Sequence, residues 1–413
     1  MSIDETSSEV VMQGSRIASE SAAPRLEARH RSSGLNSRFN GGQLAFADYV
    51  ALTREMLRKA HSALGTANLE KVVDGNAPFE LKPPAGFPSG QNKTYRRGVL
   101  LAHGLTDSPY FMRYLAEFFQ QSGFRVMVIL LPGHGTQPGD LLDVNWRDWA
   151  KAVAYGVDRL AEEADEIFLG GYSAGAALSV CQSLHDKRVR GLFLFSPAFK
   201  VTPRAAYANL HMLYSWLIPS AKWVGIAPDK SLYKYESLPK NAAAQMHALT
   251  KTLNSLLRKH EVSIPVFVAA SEDDMTANTP ATLEFMAHAH HPSSKLVLYT
   301  TDTGKLPPGI PAEKLELVNS VMHEQNIISF AHTSIVIPGK DPHYGASGEY
   351  SNCVHYYPDD MEKYDACSNK PEEVLQGEIT EANLKTGTVR RLMYNPNFTA
   401  LKLSMKRFID NLP

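Results

Sequence analysis

Short apolar runs and longer amphipathic segments alternate along the middle of the chain. The mostly apolar runs at 98–102, 124–131, 166–172 and 189–195 have strand length, which is typical of strands buried on both faces of a parallel sheet. Segments with helical spacing lie between them, at 109–122, 146–164 and 174–185. Strands that alternate with helices predict βαβ units, and therefore a mostly parallel central sheet with helices on both faces.

The same patterns predict the flanking parts of the chain. Residues 1–40 are rich in Ser, Glu, Arg and Gly and have no apolar period, so we expect a disordered tail before a domain over 41–413. The remaining predicted elements are a helix over 46–64, an extended connector over 76–93, strands over 264–270 and 295–300, a loop-rich insertion to about 326, a short apolar segment at 327–330 and an amphipathic helix over 397–412.

Two segments interrupt this alternation. Residues 203–260 are helical in pattern and rich in aromatic side chains, and they stand between two predicted strands. We interpret them as a helical cap insertion over a site, with additional helical core as the alternative. Residues 341–395 form a C-terminal extension whose aromatic clusters either line a pocket or cover the edge of the sheet. Of these two roles we favour covering.

Composition excludes some classes of partner. The 413 residues carry a formal net charge of −1, which gives no electrostatic case for binding nucleic acid or an anionic membrane. No run approaches the roughly 18 apolar residues of a membrane span. The polar N-terminus lacks the basic-then-apolar plan of a secretion signal, and we therefore expect a cytoplasmic protein. No feature of the sequence decides between a monomer and a homodimer.

The cysteines predict neither a disulfide framework nor a metal site. Three cysteines are an odd number, which disfavours a framework of paired thiols. Cys181 falls in a predicted buried helix, and we expect Cys353 and Cys367 to stay unpaired outside an oxidising compartment. No Cys/His spacing indicates zinc, and we predict no metal and no cofactor.

A Gly-x-Ser-x-Gly motif occupies residues 171–175, where a predicted strand meets a predicted helix. A serine on such a sharp turn has strained dihedrals, and its neighbours two residues away on each side must be small. The turn presents the hydroxyl to a base and aims backbone N–H groups at an oxyanion. Ser173 is therefore the candidate nucleophile, and a glycine-rich turn with a surface serine is the alternative.

Three further motifs lie on either side of this one in the sequence. They are His-Gly at 103–104, Pro-Gly-His-Gly at 132–135 and an acidic loop at 271–275 after a predicted strand. Together the motifs resemble those of the α/β-hydrolase superfamily, specifically its carboxylesterase and monoglyceride-lipase-like serine hydrolases, over about residues 97–335. The resemblance implies an α/β-hydrolase fold with a helical cap insertion.

The resemblance also implies roles for particular residues. The backbone N–H groups of Leu105 and Ala174 would form the oxyanion hole, and His134 would be structural. The family places its catalytic aspartate after the strand at 264–270. Asp273 and Asp274 both stand there, and the usual spacing favours Asp274.

The base is expected last in this fold, after the nucleophile and the acid. The chain has 15 histidines, and His332 follows the apolar segment 327–330 in a loop of small residues that resembles the family's His turn. About thirty residues separate it from the strand near Leu298, where smaller family members have only a few. Three rivals remain, at His323, His343 and His355.

These roles imply a serine hydrolase that cleaves carboxylic esters through an acyl-enzyme on Ser173, with His332 as base and Asp274 as acid. The aromatic cap suggests a lipophilic ester, either acylglycerol or lysophospholipid-like. The same residues would serve a serine aminopeptidase, an amidase or a thioesterase. A non-catalytic binding module is a further alternative, and a serine rather than an aspartate in the motif disfavours a dehalogenase.

Overall fold

The computed structural model describes residues 25–200 and 219–412, and a central sheet dominates them. The strands in chain order are β1 Phe79–Leu81, β2 Tyr95–Ala102, β3 Phe124–Ile129, β4 Ala164–Tyr172, β5 Val189–Phe195, β6 Trp223–Gly225, β7 Leu238–Pro239, β8 Val266–Ser271, β9 Lys295–Thr300, β10 Leu315–Asn319, β11 Leu375–Gly377 and β12 Val389–Arg391. Eight of them form the sheet, in the order β1-β3-β2-β4-β5-β8-β9-β10. All neighbouring pairs are parallel except β1 with β3.

Helices cover both faces of this sheet. They are α1 Phe46–Ala63, α2 Leu69–Asn76, α3 Arg113–Gln121, α4 Trp146–Glu163, α5 Ala174–His185, α6 Lys240–Leu257, α7 Thr279–Ala287, α8 Met361–Asn369, α9 Glu381–Leu384 and α10 Phe398–Asp410. Successive strand residues point to opposite faces, so Leu100 packs with α4 and α5 while Val99 packs with α3 and α10. The prediction of a mostly parallel sheet between two helical layers is confirmed.

The two edges of the sheet differ from the sequence prediction. The predicted connector 76–93 contains β1, and the predicted loop-rich insertion contains β10. Both edge strands are short and only partly buried, and they lack the continuous apolar run of a central strand. The apolar segment 327–330 is not a strand of the sheet and makes only isolated bridges, through Ile327.

Residues 25–40 are ordered by contacts with the domain, and the prediction of a disordered tail is wrong for them. Within them, the Ser33 N–H and hydroxyl both donate to the Asp140 carboxylate at 2.6 Å, and Asn36 Nδ2 donates to the His134 carbonyl at 2.7 Å. His30 is buried. Dispersed polar contacts rather than an apolar stripe hold this segment, and periodicity therefore gave no signal for it. Residues 1–24 of the predicted tail lie outside the described residues.

The structure describes part of the predicted cap and the whole of the predicted extension. Of the predicted cap 203–260, the described portion begins at residue 219 and contains the β6–β7 hairpin and α6, while 203–218 lie outside the described residues. Helix α6 packs on α5 and α4. The extension 341–395 contains α8, α9 and the small parallel β11–β12 sheet. The predicted C-terminal helix is confirmed as α10, whose Phe408 ring lies 5.2 Å from that of Phe193 in β5.

The extension also corrects the prediction for two of the cysteines. Cys353 and Cys367 form a disulfide, with their Cα atoms 6.0 Å apart. The bond closes a loop around α8, and Tyr356 and Tyr364 pack against it. An odd cysteine count disfavours a framework of several bridges, but it does not oppose one local bridge with a third thiol left free. That third residue, Cys181, is buried in α5.

Candidate active site

Ser173 occupies a sharp turn between β4 and α5. Its dihedrals are φ 54° and ψ −112°, a conformation that non-glycine residues rarely adopt. A Cβ on Gly171 would lie 2.2 Å from the carbonyl carbon of Gly175, and one on Gly175 would lie 2.1 Å from the Ala102 oxygen. Only glycine fits at either position, which gives the motif at 171–175 its physical reason.

His332 lies against the Ser173 hydroxyl although 159 residues separate them in the chain. The Ser173 Oγ and His332 Nε2 atoms are 3.0 Å apart, while His332 Nδ1 is 2.6 Å from Oδ2 of Asp274. A carboxylate can only accept, so Nδ1 carries the proton and Nε2 accepts from the serine. The carbonyl of His332 accepts from Tyr172 and Ser196 hydroxyls, which fixes the backbone behind the ring.

The two adjacent aspartates have different surroundings. The second oxygen of Asp274 accepts from the N–H groups of Thr276 and Ala277, each at 2.8 Å, and this orients the carboxylate towards His332. Asp273 has a buried Oδ2 without a hydrogen-bond partner. Burial, with the nearby carboxylates of Glu272 and Glu378, raises the pKa of Asp273 to about 6. The structure thus brings Asp274 to the histidine and leaves Asp273 apart from it.

The three rival histidines have other contacts. His343 lies 3.4 Å from the Glu349 carboxylate and accepts from the Leu232 N–H, while His355 donates to the Val389 carbonyl. His323 begins a short 3₁₀ helix after β10. None of them makes a hydrogen bond with Ser173 in the described part of the chain.

The His-Gly loop after β2 faces Ser173. Over 25–200 and 219–412, neither the Leu105 nor the Ala174 N–H donates to another protein group, and Leu105 lines the same cavity as Ser173. Thr106 has a φ of 68°, and its carbonyl accepts from the Tyr235 N–H at 2.8 Å. The loop therefore holds two adjacent features that a developing oxyanion requires, a free donor and a fixed backbone.

The buried side chains of His103, within this loop, and of His134 contact the nearby backbone. His103 Nδ1 lies 2.9 Å from the Gly104 carbonyl, and its Nε2 accepts from the Leu131 N–H at 3.1 Å. Burial lowers the pKa of His103 well below its usual range and that of His134 to about 4. Burial thus favours the neutral form of both rings, and their contacts with the backbone of residues 104, 131 and 132 are those expected of a structural His134.

A cavity of about 300 Å³ opens over the Ser173 hydroxyl. Its walls come from three parts of the chain. The loops around the central sheet contribute Leu105, Thr106, Asp107, Ser173, Ala198, Thr276, His332 and Thr333. The insertion contributes Lys234, Tyr235, Glu236, Leu238 and Met246, and the extension contributes Tyr350, Asn352, Val354 and Arg391. Parts of the extension thus line the cavity, whereas its aromatic clusters at 342–345 and 355–357 are not among the lining residues.

Sequence reasoning missed the buried carboxylate that contacts the backbone of His332. Glu378 is fully buried, and its Oε2 accepts from the backbone N–H of His332 at 3.0 Å. A single glutamate in a polar segment carries no motif, so only the fold reveals this contact.

Over 25–200 and 219–412 there is no cluster of three or more His, Cys, Asp or Glu side chains that could hold a metal ion. No helix within these ranges is long and apolar enough to cross a membrane.

Comparisons with known proteins place this site in context. A family model described as serine aminopeptidase, S33 matches residues 93–301, slightly more than half of the 413-residue chain. A thermostable monoacylglycerol lipase of Bacillus sp. strain H-257 is 28% identical over 177 residues, which are 43% of this chain and 70% of that protein. A carboxylesterase of Bacillus subtilis strain 168 is 24% identical over 188 residues, covering 44% of this chain and 74% of that protein.

Solved structures also match about half of this chain. A chain described with the metagenome-derived lipolytic enzymes LipS and LipT is 24% identical, with a TM-score of 0.45, and the match covers 54% of this chain and 87% of that one. A monoglyceride lipase variant from Saccharomyces cerevisiae is 14% identical, with a TM-score of 0.40, and the match covers 54% of this chain and 82% of that one. The family match ends before His332 and Glu378.

Proposed function

Because the chain belongs to the serine aminopeptidase S33 family, we propose that it hydrolyses carboxylic esters with Ser173 as nucleophile, His332 as base and Asp274 as the acid that orients it. One observation carries the proposal. The Ser173 hydroxyl lies 3.0 Å from His332 Nε2, and the opposite ring nitrogen lies 2.6 Å from Asp274. Both distances are within hydrogen-bond reach, as nucleophilic catalysis by serine requires.

Acylation follows from this arrangement. The Ser173 oxygen attacks the ester carbonyl as its proton moves to Nε2 of His332, and the Asp274 carboxylate stabilises the imidazolium. The carbonyl oxygen becomes negative and is held by the N–H groups of Leu105 and Ala174, each of which contributes roughly 3–4 kcal/mol to such a transition state. Collapse of the tetrahedral species expels the alcohol, which takes the proton from His332.

Deacylation repeats the steps with water. His332 removes a proton from a water molecule, whose oxygen attacks the acyl-enzyme, and the Ser173 oxygen leaves with that proton. The carboxylic acid product and the free serine result. The acceptor in both half-reactions is Nε2, so one tautomer of His332, fixed by Asp274, serves the whole cycle.

The cavity and the relatives favour a lipophilic ester as substrate. Leu238, Met246 and Ala198 contribute apolar surface beside Ser173. Both the monoacylglycerol lipase and the carboxylesterase named above act on esters, as their names state. An acylglycerol or a lysophospholipid-like ester is therefore the substrate class that we propose.

A peptidase or amidase activity on the same residues is the second candidate, since the family description names aminopeptidases. An aminopeptidase requires an anionic group for the substrate ammonium. Glu236 is a carboxylate in the cavity wall, but it already accepts from the Tyr350 hydroxyl at 2.6 Å and from the Lys230 N–H at 3.1 Å. Ester hydrolysis is thus the better-supported activity.

The test is a chain-length series of p-nitrophenyl esters with the wild type, S173A and H332A. We expect activity in the wild type and its loss in both variants, together with fluorophosphonate labelling of the wild type but not of S173A. Full activity in S173A would exclude the mechanism. Labelling without hydrolysis of any ester would favour the peptidase, and neither labelling nor hydrolysis would favour a non-catalytic binding module.

A further inference from the structure

Glu378 joins the two loops that carry His332 and Asp274. Its Oε2 accepts from the His332 N–H at 3.0 Å and is 3.4 Å from the N–H of Met275, the residue after Asp274. The other oxygen accepts from the Ile379 N–H at 2.8 Å. One buried carboxylate therefore contacts the backbone on both sides of the imidazole–carboxylate pair.

The backbone around Glu378 is itself anchored to the segment before His332. The Glu378 N–H donates to the Ser329 hydroxyl at 3.0 Å, and the Ile328 N–H donates to the Gln376 carbonyl at 2.9 Å. Residues 326–329 thus run beside β11. The position of Glu378 relative to His332 is fixed by the fold and does not depend on a flexible side chain alone.

Arg391 is the cationic partner of this carboxylate. Its Nε lies 3.3 Å from Oε1 of Glu378, and its side chain lines the cavity that contains Ser173 and His332. The Arg391 N–H donates to the Asn352 carbonyl at 3.0 Å, which attaches β12 to another part of the cavity wall. The pair is therefore held between the cavity and the backbone of the proposed base.

Glu378 and Arg391 are not the only charges near His332. Asp274 contacts its ring, and Asp107, paired with Lys234 at 2.6 Å, is a further carboxylate in the cavity wall. Asp273 is beside Asp274, and Glu236 lies in the cavity wall. Of these, Glu378 alone accepts a hydrogen bond from the His332 backbone, which makes it a second charge in direct contact with the base.

We propose that the Glu378–Arg391 pair is a positioning device for His332, in which Glu378 holds the base against Ser173 and Arg391 balances the charge of Glu378. The inference rests on the proposed function, because it takes His332 as the base. Loss of the Glu378 charge leaves Arg391 unbalanced and disfavours the imidazolium cation. Loss of the Arg391 charge leaves a bare carboxylate and favours that cation. The two substitutions must therefore move the pH dependence in opposite directions.

The experiment measures kcat and KM for p-nitrophenyl butyrate between pH 5 and 9 with the wild type, E378Q, R391Q and E378Q/R391Q. The E378Q substitution keeps the size of the side chain and one acceptor for the His332 N–H. The matched control is E163Q. Glu163 pairs at 2.7 Å with the buried Arg125 near the start of β3, at the opposite ends of the strands from Ser173. Thermal unfolding and fluorophosphonate labelling establish that each variant folds and keeps its nucleophile.

In E378Q we expect kcat to fall about tenfold with little change in KM, as a small displacement of a catalytic group produces. The acid limb of kcat/KM should move to lower pH in E378Q and to higher pH in R391Q, each by about half a pH unit, and should lie between them in the double variant. E163Q should keep the wild-type profile.

Two results would overturn the inference. Acid limbs of E378Q and R391Q that coincide with that of E163Q, or that move in the same direction, would mean that the pair is only structural. If the wild type and E163Q are neither labelled nor active on the ester, the proposed function itself fails, and the inference fails with it.

Discussion

Nζ of Lys234 lies 2.6 Å from Oδ1 of Asp107 and 2.9 Å from the Thr106 hydroxyl, so a side chain of the insertion neutralises a carboxylate in the proposed oxyanion loop. Asp107 is buried, and this burial raises its pKa. The pair joins the insertion to the proposed oxyanion loop and would govern the charge near the carbonyl of the proposed substrate.

Lys234→Met should therefore impair catalysis through charge. The variant leaves Asp107 buried without a cation, and an ionised Asp107 would oppose the negative oxyanion. We expect kcat for p-nitrophenyl butyrate to fall by about 10- to 100-fold, equivalent to roughly 1.4–3 kcal/mol, and the loss to grow as the pH rises and Asp107 ionises. K234M/D107N should regain most of the rate. An undiminished kcat in K234M across pH 6–9 would contradict this explanation.

The adjacent aspartates offer a matched comparison. Asp274→Asn removes the carboxylate from Nδ1 of His332, which destabilises the imidazolium and the required tautomer, and kcat should fall roughly 10²- to 10⁴-fold. Asp273→Asn changes a side chain that does not contact His332, and kcat should stay within about twofold of wild type. Equal losses of kcat in the two variants would show that the loop as a whole, and not the Asp274 carboxylate, is required.

Asp273 should make stability depend on pH. Burial raises its pKa to about 6, above the value of roughly 4 in an unfolded chain, so the folded protein holds this proton more tightly. Its contribution to the free energy of unfolding is therefore present below about pH 4 and is lost as the pH rises to about 6. Urea unfolding should show D273N more stable than wild type at pH 7, by about 1 kcal/mol because the group is partly exposed, and no such gain at pH 4. A gain equal at both pH values would have another cause.

Replacing a glycine of the 171–175 motif with a larger residue should destabilise the protein through a steric clash. A Cβ on Gly175 would lie 2.1 Å from the Ala102 oxygen, and backbone on both sides of this contact cannot move without displacing Ser173. Gly175→Ala should lower the free energy of unfolding by about 3 kcal/mol and abolish activity. Gly225→Ala is the control, since a Cβ there meets no atom within 4 Å. Thermal unfolding and ester hydrolysis of the two variants provide the comparison, and a wild-type Tm in G175A would refute the steric argument.

The disulfide predicts a thiol count. Of three cysteines, Cys353 and Cys367 are paired, so the denatured protein should have one reactive thiol before reduction and three after it. In the folded protein, Cys181 should react with Ellman's reagent more slowly than in the denatured protein, because burial raises the pKa of its thiol to about 12. Three alkylated cysteines in protein that was denatured and alkylated at lysis, before any reduction, would show that the bond is absent in the cell. Such a result would accord with the cytoplasmic location expected from the sequence, whereas one thiol would favour an oxidising compartment.

The central strands and the nucleophile turn were predictable because their signals are local. β5 and α5 have the bounds that their apolar patterns predicted, and the glycines around Ser173 are required by contacts within the turn itself. His332 was selected for its place after the apolar segment 327–330. The structure places its Nε2 3.0 Å from the Ser173 hydroxyl, although the segment before it is not a strand of the sheet, whose last strand is β10.

The features that the sequence did not predict depend on contacts between distant parts of the chain. Glu378 and Arg391 have no motif, and their relation to His332 appears only when β11 and β12 pack beside residues 326–332. The order of residues 25–40 arises from single long-range contacts, such as the hydrogen bond from Ser33 to Asp140, 107 residues apart, and the packing of Phe39 on Tyr155. Neither composition nor periodicity contains such pairings.

His332 follows Ser173 by 159 residues, and Glu378 follows His332 by a further 46. A ribosome releases the nucleophile turn long before it releases the groups that would activate and position it. The growing chain would therefore carry a serine without its proposed base until residue 332 has been made, and the proposed activity would require synthesis at least as far as Glu378. Gain of activity during translation would accordingly follow the synthesis and folding of residues 332–378, which are made at roughly 5–20 residues per second.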